Sequence, residues 1–127
     1  MIYYLEQNVN PKGRKTGDCS TRALVSVLGI SYDEALRLQY EEALKCYYDT
    51  TSKQVMERVL SKFGFVKMKQ PRKYDGTKYT IKELDRVIGH KTALVTVAHH
   101  HTAVVNGCCI DIWDCRNKSV GNYYIKQ

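Results

Sequence analysis

The stretch His99-His100-His101-Thr102-Ala103-Val104-Val105-Asn106-Gly107-Cys108-Cys109-Ile110-Asp111-Ile112-Trp113-Asp114 decides how this chain folds. Asn-Gly between two apolar runs is the strongest short-range hairpin signal, because both residues tolerate the positive φ that a tight turn demands. A two-residue turn at Asn106-Gly107 pairs Val105 with Cys108, Thr102 with Asp111 and His100 with Trp113. Residues two apart share a face, so His100, Thr102 and Val104 belong with Asp111 and Trp113. Asp111 is then a diagonal neighbour of His100. His101 falls on the other face with Asp114, and a bulge near the histidines would exchange the two pairs.

Outward from the hairpin, Ala93-Leu94-Val95-Thr96-Val97-Ala98 is a β-branched run of the buried-strand type, and Tyr123-Tyr124-Ile125 makes a last strand. Upstream the period changes to that of helices. Asp18 is placed to cap a helix through Leu28, with Ala23, Leu24, Val27 and Leu28 as its apolar stripe and Gly29 as its stop. Ser31-Tyr32-Asp33-Glu34 is a capping box that opens a second helix from about Tyr32 towards Lys45. Thr51-Ser52-Lys53-Gln54 opens a third, with Val55, Met56, Val59, Leu60 and Phe63 on one face. Thr80-Ile81-Lys82-Glu83 starts a short helix to Ile88, ended by Gly89. Ile2-Tyr3-Tyr4-Leu5 reads as a short strand or an ordered arm, and Asn8 to Gly17 as loop. The expectation is an α+β fold, with N-terminal helices packed on a C-terminal antiparallel sheet in a single domain spanning 1–127.

At 127 residues and 43% hydrophobic content, the chain can build a small core. No run approaches the roughly 18–20 apolar residues that span a bilayer, and the N-terminus has no secretion-signal pattern. Cys19, Cys46, Cys108, Cys109 and Cys115 make an odd set, so reduced thiols and a cytoplasmic location are expected. The net charge of +7 gathers in Pro11–Lys15 and Lys67–Lys73. Such loops attract acidic partners or nucleic acid, although solvated loops are the commoner role.

Gly17-Asp18-Cys19-Ser20-Thr21-Arg22 places a thiol in the first turn of a helix. Unpaired N–H groups and the helix dipole favour a thiolate there. A distant histidine on a strand and an acid on the next strand complete the parts of a cysteine nucleophile site. Cys19 is the expected nucleophile, His100 the base and Asp111 the group that orients the imidazole, with His101 and Asp114 held in reserve.

Gly17-Asp18-Cys19, His100-x-Thr102-Ala103-Val104 and Asp111-x-Trp113-Asp114-Cys115 together resemble papain-like cysteine peptidases, in particular a small bacterial and phage-associated branch. The likeness spans most of the chain. It implies a papain-like fold, a Cys19–His100–Asp111 triad, an acyl-thioester intermediate and a peptide or protein substrate, in the host cytoplasm if the gene is a phage's. It implies no cofactor. Papain-like enzymes carry a glutamine six residues before the cysteine to help bind the oxyanion. Gly13 stands there, so Gln7, Asn8 or Asn10 would have to substitute.

Two other readings compete. A papain-like scaffold without activity could use its basic loops to bind nucleic acid or a protein partner. The three histidines with Cys108, Cys109 and Cys115 contain zinc-type ligands, but strand alternation separates neighbours and no Cys-x-x-Cys occurs, so no metal site is expected.

Overall fold

Asn106 and Gly107 both adopt positive φ, 49° and 80°, the backbone of a I′ turn, whose twist matches that of the strands it joins. The computed structural model describes residues 1–126. The turn links β4 (His100–Val105) to β5 (Cys108–Asp111), with rungs Val105–Cys108, Val104–Cys109 and Ala103–Ile110. This is the register the hairpin sequence predicts, with no bulge between its strands.

β3 (Ala93–Val97) pairs antiparallel with β4 through a tight connection at Ala98-His99, where His99 takes the left-handed conformation at φ 56°. β6 (Tyr123–Lys126) lies on the other side of β3, and β2 (Phe65–Met68) pairs with β6. β1 (Tyr3–Glu6) completes the opposite edge against β5, giving the order β1-β5-β4-β3-β6-β2. The fold is thus α+β, with a sheet that is mixed rather than antiparallel, because β1 runs parallel to β5. A parallel pair cannot form through a tight turn, so local pattern carries no signal of it. β2 is a further strand that the pattern hides: four residues at an edge, with Lys67 interrupting the apolar alternation.

α1 (Cys19–Leu28), α2 (Tyr32–Cys46) and α3 (Lys53–Lys62) follow their start signals closely. Ser31 accepts from the Glu34 amide at 3.1 Å, and Ser52 accepts from Val55 at 3.2 Å. Asp18 departs from the expected pattern, since its side chain makes no capping bond to α1. The predicted helix after Thr80 forms as a 3₁₀ turn, Ile81–Glu83, followed by a single α turn, α4 (Asp85–Ile88).

The sheet is covered on both faces. Leu94, Ala103 and Tyr124 pack against Ala23, Leu24, Val55, Met56, Val59 and Leu60 of the helical layer. Ala93, Val95, Val97, Val104 and Cys109 face the other way, onto Ile2, Ile81, Leu84, Cys115 and Val120. Parity therefore places His100 and Thr102 on the face away from α1, and His101 on the face beneath it. Among the described residues, no helix is long and apolar enough to cross a membrane.

Candidate active site

Cys19 is the first residue of α1, and the segment Thr16–Asp18 that leads into it is pinned from below. Asp18, buried at 8% exposure, accepts from Arg22 Nε at 3.1 Å, Tyr32 Oη at 2.8 Å and Asn10 Nδ2 at 2.8 Å. A carboxylate with an ion-pair partner and two further donors tolerates burial, and here it fixes where the helix begins.

His100 opens β4, directly after the left-handed His99. Its Nε2 lies 2.7 Å from Asp111 Oδ2, at the end of β5. Asp111 is 6% exposed and accepts further hydrogen bonds from Thr102 Oγ1 at 2.6 Å and from the Ile112 amide at 2.7 Å. The Trp113 ring sits 5.1 Å from the imidazole, tilted by 51°, and shields the His–Asp pair on that side.

The thiol meets this pair at the start of β4 rather than across a sheet face. Burial raises the Cys19 pKa, but hydrogen bonds from the His100 ring and the His101 backbone N–H outweigh it, and the thiol lies below its ordinary value. Burial likewise disfavours a charged His100, yet Asp111 overrides it and, with the Cys115 and Cys19 sulfurs, holds the imidazole up at about 11. Asp111 is pushed up by burial and brought down further by His100 and Thr102, ending lowered. Since Nε2 is committed to Asp111, Nδ1 is the ring nitrogen left for sulfur.

The alternative pairing is not formed. His101 Nδ1 is 2.7 Å from Ser20 Oγ, and Asp114 is bound by Arg116 Nε and Nη2, both at 2.9 Å. His101 lies on the α1 side of the sheet, beside Cys19. Both line the same cleft, about 390 Å³, together with Gly17, Thr51 and Val97. Burial and the neighbouring charge of His100 lower the His101 pKa.

The three oxyanion candidates separate clearly. Asn8 Nδ2 donates to the Arg14 carbonyl at 3.0 Å, and Asn10 spends its amide on Asp18, so both are engaged in holding the loop. Gln7 lines a small cavity beside Cys19, Arg22 and Asp111, and its backbone N–H binds the Asp111 carbonyl at 2.9 Å. That bond extends the β1–β5 pairing by one residue and sets Gln7 at the mouth of the site.

Thr102, Arg22, Cys109 and Cys115 join the site without having been assigned a role in the triad. Thr102 was detectable by parity with His100, and nothing local marked Arg22. Among the described residues, His100, Asp111 and Cys115 bring potential metal-ligand atoms within 4.8 Å of one another. The basic loops are partly spent internally: Lys73 pairs with Glu83 at 2.6 Å, and Arg72 binds Gln70 and the Gly76 carbonyl. No protein-family model, curated protein or solved structure matches the chain.

Proposed function

We propose that this chain is a thiol hydrolase of papain-like architecture that cleaves an amide bond, in a peptide, an isopeptide or a smaller amide, through an acyl-thioester. The observation that carries the reading is a thiol in the first turn of α1 lining one cleft with an imidazole whose Nε2 is 2.7 Å from a buried carboxylate. Nucleophile, base and orienting acid are then in the order the chemistry uses them.

Cys19 sulfur attacks the carbonyl carbon, and the C=O pair moves onto oxygen. The Cys19 backbone N–H at the helix start and the Gln7 side chain, which lines the cavity beside Cys19, are the donors assigned to that oxyanion. As the C–N bond breaks, the His100 imidazolium gives its proton to the leaving nitrogen. A water then loses a proton to His100 and attacks the thioester carbon. The acid product departs, and the thiolate–imidazolium pair returns. Asp111 acts as a positioning residue throughout, fixing the ring tautomer and stabilising its charge.

Iodoacetamide labelling tests this. Cys46 and Cys108 are half-buried thiols in the same chain and serve as internal standards. Cys19 is expected to react selectively at neutral pH, and His100→Ala to abolish that selectivity. If Cys19 reacts no faster than Cys46 or Cys108, the hydrolase reading falls.

A further inference from the structure

We propose that His100, Asp111 and Cys115, with Cys109 beside Cys115 as a fourth donor, form a binding site for a thiophilic divalent cation of the zinc type. The proposal stands without the thiol-hydrolase reading.

The sequence-level objection to zinc concerned the histidine triplet and the cysteine spacing. Folding uses neither. It takes one histidine, the acid across the hairpin, a cysteine that closes onto that acid from the irregular segment after β5, and a second cysteine on β5 beside the first. Cys109 and Cys115 place their sulfurs 3.8 Å apart, and Cys115 Sγ is 3.7 Å from Asp111 Oδ2. With zinc–sulfur bonds of about 2.3 Å, two thiolates on one tetrahedral ion lie about 3.8 Å apart, and a thiolate and a carboxylate oxygen about 3.5 Å. His100 Nε2 and Asp111 Oδ2 are 2.7 Å apart and must part to about 3.3 Å, the spacing of nitrogen and oxygen ligands on a tetrahedral zinc ion, to admit the ion.

Two sulfurs, one imidazole and one carboxylate select zinc-like cations over magnesium or calcium, which prefer all-oxygen shells. Cys109 and Cys115 are 0% and 1% exposed, so the ion needs a route in. Residues Ile112–Cys115 belong to no helix or strand, and Trp113, 41% exposed, lies against the imidazole as the outer wall. Displacement of that short segment opens the cluster without disturbing the sheet.

Cobalt(II) titration of the untagged, reduced full chain reads the site through thiolate-to-metal absorption, with zinc displacement afterwards. We expect one equivalent bound, undiminished in Cys19→Ala. Cys115→Ser and Cys109→Ser should weaken binding roughly tenfold or more, with the fold checked by circular dichroism. Binding by Cys115→Ser equal to the parent, loss of binding in Cys19→Ala, or no thiolate absorption at all overturns the site.

Discussion

Glu42 and Asp111 are both carboxylates withdrawn from water, 2% and 6% exposed, yet the fold gives them opposite company. Glu42 on α2 is clamped by Lys45, Arg58 and Lys62 at 3.2, 2.9 and 2.6 Å. Lys62 first, with Lys45 and Arg58, pulls the Glu42 carboxyl down to about 2 against the opposing effect of burial. Asp111 instead meets one titratable imidazole and a set of neutral donors. A carboxylate surrounded by permanent charges ties two helices together. A carboxylate whose main partner can gain and lose a proton leaves that partner poised for chemistry.

The sharpest way to break this contrast is to remove the imidazole. His100→Ala should slow alkylation of Cys19 at neutral pH by about a hundredfold or more, the scale of a lost general base. Glu42→Gln should leave that rate within about twofold, since the clamp touches neither reacting group. Equal effects from both would erase the distinction.

Asp111→Asn keeps the shape and removes the charge. Alkylation should then fall about tenfold, in the range seen when an orienting partner is lost. The pH profile should also narrow from its alkaline side. With Asp111 present, His100 stays charged up to about 11, so the thiolate–imidazolium pair persists from below the ordinary thiol value to that limit. Folding stability carries the same signature. The raised His100 contributes fully below the ordinary imidazole value, and that contribution is lost as pH climbs towards about 11. The lowered Asp111 contributes above the ordinary carboxylate value, and its share is lost as pH falls through its folded value. Thermal unfolding of both proteins across the acid and alkaline ranges measures each limb. Matching profiles would show that Asp111 does not tune the ring.

Effects at the clamp are smaller and purely structural. Glu42→Gln should cost about 1 kcal/mol, at the modest end because all three cations are half in water. Glu42 is depressed, so its contribution is full above the ordinary carboxylate value and fades as pH falls towards about 2. Urea midpoints of parent and variant should therefore converge in acid. The smallest expected change comes from Ser52→Ala, which removes the cap on the Val55 amide and should cost about 1 kcal/mol or slightly less. A larger loss from Ser52 than from Glu42 would mean that the clamp adds nothing to the helix pair.

Much of this molecule is legible in short windows of sequence. The starts of α1, α2 and α3, the Asn106-Gly107 turn and the β4–β5 register all follow from residues within a few positions of one another, where capping, φ preference and alternation operate. That register carries the His100–Asp111 juxtaposition with it. Legibility fails wherever partners are distant. β1 lies parallel to β5 across more than a hundred residues of chain, β2 has too few residues to show a pattern, and Asp18 turns from its expected capping role to Arg22, Tyr32 and Asn10.

The sequence by itself determined the elements, the hairpin pairing and the chemical types at Cys19, His100 and Asp111, because each depends on local backbone preference and side-chain parity. Only the tertiary structure decided that Gln7, rather than Asn8 or Asn10, borders the site, that His101 turns to Ser20, and that Cys109 and Cys115 close around Asp111. Those outcomes depend on how β1 docks, how α1 is anchored and how residues 112–115 fold back. Each is set by contacts between segments far apart in the chain, so no window of sequence contains them.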